Sequence, residues 1–445
     1  MAVSSLIMKK TLQSESAIKT ILSYSIPCII SMLLTTAVTV TDAYFVGNHV
    51  GEDALAAINL GLPILYLFLG VGLCTGVGGS VTAGHLIGRK DNQKASEAFT
   101  ESMVTSLVIC IIIGILINAF FSPVMKFLKA DGVLSRYFES YYRIMVFTYP
   151  LLVLTTVSGM FIRTDGKLQT FLALSVSGCI LNFILDYLFV SVLGLGVCGS
   201  AYASLTVEAL SVLICLFYFL FKADRLHLTR FRHDGKIMKA MFLNGFSEFI
   251  GEAASAISMF AFNYVLMKYA GVEGVAAFTI LGYAVYAFSM ISIGFGQGLC
   301  SIVLTLWGKG EIEEAELMRN ITVRILVITG LFFSLFLTIS GKQYALFFGA
   351  GENVASAVAT GFRIMALTFP VMGFDVTLSM YVTAIGNASS SAIVSSLRGL
   401  ILLIPFTLLF PMFWGLNGVW LVTPVTECIT AIVACSLIRR DGIKQ

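Results

Sequence analysis

Asp42, Asp186, Glu248, Glu252 and Asp375 sit inside runs otherwise apolar enough to cross a bilayer. A charged side chain at mid-membrane costs roughly 2.5 to 3.5 kcal/mol even on the lenient insertion scale, so each acid calls for a task. Asn182 and Asp186, in "CILNFILDYLFV", are four residues apart and share a helical face. At a rise of about 1.5 Å per residue, Asp42 and Asp186 fall at nearly the same depth from the outer ends of their helices. Ser204 and Thr206 of the following helix add hydroxyls at that level. Two carboxylates, an amide and a hydroxyl could surround Na+, or the carboxylates alone could trade a proton. The plainer alternative is that Asp186 and Asn182 bond to each other or to a hydroxyl and hold helices together. Glu248 and Glu252, in "NGFSEFIGEAAS", repeat the four-residue spacing, and Asp375, in "FPVMGFDVTLSM", lies at a comparable depth. These three make a second candidate site, although Glu248 is close enough to its helix end to be simply solvated.

The elements that must position these acids follow from composition: 58% of residues are hydrophobic and 12% charged, about half the charged fraction of an ordinary soluble domain. Twelve stretches approach or exceed the roughly 20 residues a helix needs to cross hydrocarbon. They are 20–46, 55–86, 99–121, 136–161, 170–193, 199–221, 240–268, 276–307, 321–341, 356–384, 391–413 and 417–438. Barrel strands are short and alternate apolar with polar residues, which excludes a barrel. The fold class expected is an all-α, multi-pass membrane protein. The first helix lacks a short apolar core followed by a small-residue cleavage site, so it is expected to be retained. Nine scattered cysteines without a CxxC pair imply no metal or redox site and no cofactor. Most of the 28 Lys and Arg fall in alternate loops, which puts both termini in the cytoplasm. The net charge of +3 reports that topology and gives no reason to invoke nucleic acid.

Sliding the sequence on itself shows one six-helix unit written twice. "YYRIMVFTYP" (141–150) aligns with "GFRIMALTFP" (361–370), and "VGEDALAAI" at 50 with "AGVEGVAAF" at 270. An even number of helices makes the repeats parallel, so the expected domains are 1–221, a basic cytoplasmic linker 222–239, and 240–445. The acids break this symmetry: Asp42 faces Phe262, Glu248 faces Cys28, Glu252 faces Met32 and Asp375 faces Thr155. Only Glu208 and Glu427 fall within one residue of each other, as a shared structural feature would. Arg143, Arg324, Arg363 and Arg398 lie within about ten residues of a helix end, where long side chains can snorkel. A chamber between the two lobes would then be net negative and largely apolar, which favours organic cations.

"IPCIISMLLTTAVTVTDAYFVG", "NFILDYLF", the duplicated "RIM..T.P" and the two-lobe plan together resemble the multidrug and toxic compound extrusion (MATE) family, in its bacterial DinF- and MepA-like range. The resemblance covers essentially the whole chain. It implies a V-shaped pair of six-helix lobes, read as a monomer in the bacterial inner membrane, exporting cationic amphipathic drugs in exchange for Na+ or H+. It maps the ion site to Asp42, Asn182 and Asp186, with Ser204 where some relatives have threonine. Pro27 matches the helix-1 proline at which bending has been proposed. Glu252 and Asp375 resemble the acidic positions of the second lobe in NorM-like members. The rival function is a lipid-linked oligosaccharide flippase of related architecture, which would need arginine or lysine at mid-membrane to hold phosphates. An enzyme is not expected: no GxGD-type aspartate pair is present, and His49, His85, His227 and His233 sit at helix ends or in loops.

Overall fold

In hydrocarbon every backbone N–H and C=O must be paired within its own segment, which leaves helices as the spanning element for these runs. The computed structural model describes residues 2–128, 130 and 132–442, and among them there is no strand. Lys444, counted among the basic residues of the C-terminal end, lies outside the described residues. The α-helices in chain order are α1 (Ala2–His49), α2 (Glu52–Leu60), α3 (Leu62–Gly88), α4 (Asn92–Ala119), α5 (Phe121–Phe127), α6 (Val133–Thr164) and α7 (Leu168–Asp186). They continue with α8 (Val197–Phe221), α9 (Gly235–Lys309), α10 (Ile312–Phe347), α11 (Glu352–Ile364), α12 (Thr368–Ala384), α13 (Ala388–Ser396) and α14 (Leu403–Gly442). Short π-helical turns follow α7 and α13, at Tyr187–Val192 and Leu397–Ile401.

Ten described helical stretches are long and apolar enough to cross a membrane. The last of the ten, Ala388–Leu437, and the long α9 are each broken at a glycine. α9 leaves helical geometry at Gly271 (φ 59°, ψ −158°) and α14 at Gly415 (φ 53°, ψ −134°), backbone that glycine adopts readily. Conversely, the second expected span divides at Gly61 into α2 and α3, with a proline in the first turn of α3. Large apolar side chains such as Ile115, Leu213, Ile328, Phe332 and Ile339 are exposed around the helices, a surface suited to lipid rather than water.

Contacts divide the chain into two compact units, residues 30–252 on one side and residues 1–29 with 253–445 on the other. The cuts run through α1 and α9, not through the 222–239 linker that the repeat alone marks as the boundary. Ala17 and Ile21 of α1 are buried with Phe295, Ile302, Ile321 and Leu326. Ser25 and Ile29 lie against Gly298 and Gly294. The early part of α9 makes the corresponding crossing in the other unit: Gly245 rests on the Cys74 carbonyl and Gly78 on the Met241 carbonyl. Ser25 with Gly298 and Gly245 with Gly78 are repeat mates, so the same small-residue crossing is built twice.

The linker is a strap sewn to its unit. Buried Asp165 accepts hydrogen bonds from the Tyr218 hydroxyl (2.5 Å) and from the Asp224 and Arg225 amides (3.2 and 2.9 Å). Ser96 and Thr100 of α4 accept from the amides of His227 and Thr229. Glu101, 1% exposed, meets His233 Nδ1 at 3.0 Å and accepts from the Asp234 amide. Lys167 and Asp224 pair at 2.6 Å on the surface; the carboxylate holds the ammonium above its usual pKa and the ammonium holds the carboxylate below its own. Asp165→Ala leaves one hydroxyl and two amides without their acceptor, a loss of about 2 kcal/mol or more. Faster cleavage within 222–234 by limited proteolysis is the expected result, and an unchanged cleavage rate would show that Asp165 does not fasten the strap.

Candidate ion-coupling site

The unit of residues 30–252 brings Asp42, Asn182 and Asp186 together. Ser31 of α1 and Ser175 of α7 share a hydrogen bond at 2.7 Å. Asp42 and Asp186 each lie eleven residues further along their helix, close to three full turns, so they return to the same facing sides about 16 Å on. One turn beyond Asp42, Phe45 packs edge-on against Phe183 (ring centroids 5.6 Å apart) and against Tyr187 (6.4 Å). These ring contacts fix α1 against α7 at the depth of the acids.

The Asp42 and Asp186 carboxyl groups come within hydrogen-bonding reach of each other, with the Asn182 amide beside Asp42. Asp186 is 0% and Asn182 2% exposed. Asp42 Oδ1, both Asp186 oxygens and Asn182 Oδ1 are buried and meet no hydrogen-bond partner among the described residues. Two carboxylates this close repel each other, and a cation or a shared proton between them relieves that repulsion. The unsatisfied oxygens converge as a hard cation requires, and the pair can equally share a proton. Tyr141, buried on α6, lies close enough to feel both acids.

The structure adds a hydroxyl that the spacing did not name, that of Ser200. Ser200 lies beside Asp186 and is fully buried. Thr206 donates to the Tyr202 carbonyl of its own helix at 2.8 Å, and Ser204 is half-buried one turn beyond Ser200. The depth estimate missed this because the π-helical turn directly after Asp186 spends extra backbone before α8 begins. Pro27 is buried within α1, which runs through it as one element, two residues before the contact boundary at residues 29 and 30.

The second acidic set divides. Glu248 and Glu252, both half-buried, influence each other and belong to the unit of residues 30–252. Asp375 belongs to the other unit, where its neighbours are Glu427 and Arg398. Arg398 does not snorkel: its Nε donates to Glu427 Oε1 at 2.8 Å. Arg143 is exposed, paired with Glu139 at 2.7 Å and stacked over Phe121. Sequence reasoning missed Ser200, Tyr141 and the Arg398–Glu427 bond. The available signal was an arginine alone in the apolar run "VSSLRGLILLIPF", which in a membrane implies an acidic partner.

Comparison with known proteins agrees with this architecture. The multidrug export protein MepA of Staphylococcus saprophyticus is 22% identical over 433 residues, covering 96% of this chain and 94% of the relative. A solved outward-facing conformation of a multidrug resistance MATE family transporter of the MOP superfamily superposes with a TM-score of 0.89 at 24% identity, covering 96% of both chains. A MOP superfamily transporter from Pyrococcus furiosus, for which reverse polarity of the binding pocket was taken to suggest a different function, superposes with a TM-score of 0.88 at 24% identity, again over 96% of both chains. At this identity the structural likeness speaks for the all-helical fold. The MatE family matches residues 27–188 and again 249–409, once in each half and over most of the sequence, so this chain belongs to the MatE family of membrane transporters.

Proposed function

We propose that the protein is a secondary antiporter that exports cationic, amphipathic compounds in exchange for inward Na+ or H+. It transports its substrates without altering them chemically. The observation that carries this reading is the Asp42–Asp186 pair, with its unsatisfied buried oxygens and the Asn182 and Ser200 groups beside it. Ion and drug need only stabilise different conformations or compete for the same negative charge for their movements to be coupled. A cation entering down about 100 mV supplies roughly 2.3 kcal/mol, to which its concentration gradient adds. The supporting setting is a bacterial inner membrane with both termini cytoplasmic. The two units, residues 30–252 and residues 1–29 with 253–445, would act as the lobes that give access to either side in turn. A flippase for phosphate-linked lipids is not favoured: Arg398, a basic group beside the buried Asp375 and Glu427, is already engaged by Glu427.

The test is dye export by reconstituted vesicles given one gradient at a time. Ethidium-type dyes are expected to be driven by a Na+ gradient or by a proton gradient, and not by the dye gradient alone. Equal export with neither gradient would end the antiport reading, and movement of lipid-linked saccharides but not of dye would favour the flippase.

A further inference from the structure

We propose that the strap of residues 222–239 docks on anionic phospholipid, holding phosphates of the leaflet in which α8 ends and α9 begins. Lipid association is read without any export, so the proposal is independent of the antiport reading at Asp42 and Asp186.

The strap carries six Lys and Arg against two acids, and both acids are spent. Asp224 is paired with Lys167, and Asp234 Oδ1 accepts from the Lys236 amide at 2.8 Å as α9 opens. Arg225, Arg230, Arg232, Lys236 and Lys239 are exposed. Among the described residues no carboxylate pairs with any of these five. Their backbone is nevertheless held in place. Asp165, Ser96, Thr100 and Glu101 bind the amides of 224, 225, 227, 229 and 234, and Leu226 is buried beneath. The cations are therefore presented already ordered, which lowers the entropy lost when a ligand binds.

The ends of the strap set its depth. α8 closes with Leu220 and Phe221 exposed, and Lys222 folds back over the Phe217 ring, 5.8 Å from its centroid. α9 exposes Phe242, Leu243 and Phe246 soon after it begins. A segment between two such ends lies where the lipid-facing surface stops, at the level of the phosphates. Between Arg230 and Arg232, Phe231 is 48% exposed, an apolar ring among cations that suits the boundary between headgroups and acyl chains. Arginine forks engage phosphate oxygens two at a time, and clusters of about four to eight basic residues beside a membrane span attract anionic lipid.

The internal repeat separates this reading from a general excess of basic residues on one side of the membrane. Parallel repeats put matching loops of the two halves on the same side. In the first half, "GRKDNQK" (88–94) has three basic residues and one acid, and "RTDGK" (163–167) has two and one. Their mates, "GKGEIEE" (308–314) and "TAIGN" (383–387), have one basic residue with three acids, and no charge at all. Topology alone would charge both sets alike. The positive charge is instead gathered on the unit that carries the strap, where Arg89 and Lys90 are also exposed, one loop before the α4 residues that hold it.

The test uses the full-length protein with Phe231→Trp, read above the emission of the parent's Trp307, Trp414 and Trp420. Vesicles contain phosphatidylcholine and phosphatidylglycerol in equal amounts, with bromine on the chains of one lipid or the other. Stronger quenching is expected when phosphatidylglycerol carries the bromine. Adding Arg230→Gln and Arg232→Gln is expected to lower that preference about fivefold for each charge removed. Lys126→Gln with Arg136→Gln, which removes two exposed cations at the opposite end of the same unit, is expected to leave it unchanged. Equal quenching by the two lipids overturns the proposal, as does a preference that survives the loss of both arginines or falls equally in the control. Quenching by neither lipid also overturns it, and leaves the cations to a soluble polyanion.

Discussion

Replacing Asp186 with Asn is expected to reduce dye export to the level of cells lacking the protein, while the amount of folded protein in the membrane stays the same. Asn matches Asp in size, and next to Asp42 it supplies a donor where the native pair has two acceptors with unsatisfied oxygens. Packing therefore survives, and the thermal midpoint is expected to hold or rise. What disappears is a group that can be charged and discharged in each cycle. At 100 mV, each inward charge no longer coupled lowers the dye gradient that can be sustained by about 50-fold. Asp42→Asn is expected to behave alike, Ser200→Ala to weaken export, and Thr206→Ala to leave it untouched, since Thr206 lies nearly two turns beyond Ser200 on α8 and donates to the Tyr202 carbonyl of its own helix. Efflux assays in intact cells, with membrane protein quantified in parallel, read all four. Undiminished export by both aspartate variants would remove the ion site from Asp42 and Asp186.

Gly245→Leu is expected to give the largest loss of stability among single substitutions outside the acids. A Cβ at residue 245 would overlap the Cys74 carbonyl, and one at residue 78 the Met241 carbonyl. Both obstacles are backbone, so no rotamer change relieves them and the two helices must separate. Overpacking of this kind costs about 1–3 kcal/mol, and a fixed backbone puts the cost at the upper end. For a unit of this size that corresponds to a drop of roughly 6–12 °C in the thermal midpoint of the purified protein. Gly282→Leu, where an added Cβ meets nothing within 4 Å, serves as the control and is expected to melt like the parent. A Gly245→Leu protein that melts with the control would contradict the close crossing of α3 by α9.

The membrane helices were legible because a bilayer tolerates so few alternatives: long apolar runs separated by polar breaks have to be spans. Asp42 and Asp186 were legible for the same reason, since an acid in such a run stands out and helical rise gives its depth. What the sequence hid depends on packing between distant segments. A depth estimate assumes regular helix, and with a π-helical turn at Tyr187–Val192 it did not name the Ser200 hydroxyl beside Asp186. Arg398 was placed by its distance from a helix end, yet its partner Glu427 is 29 residues away on another helix, which spacing cannot show. The assignment of residues 1–29 and 235–252 to opposite units was equally hidden, because glycines at 78, 245, 294 and 298 permit close approach without naming the neighbour.

That assignment bears on how the protein is made. A nascent chain completes residues 1–29 long before their packing partners beyond residue 253 leave the ribosome, and residues 30–221 must wait for 235–252. Neither half can finish its core during its own synthesis. The first six helices enter the bilayer with the Gly78 and Cys74 backbone uncovered, and maturation ends in a late step in which both halves exchange their ends together. A stalled or truncated product is thus left as unfinished substrate for membrane quality control, never as a working half-transporter.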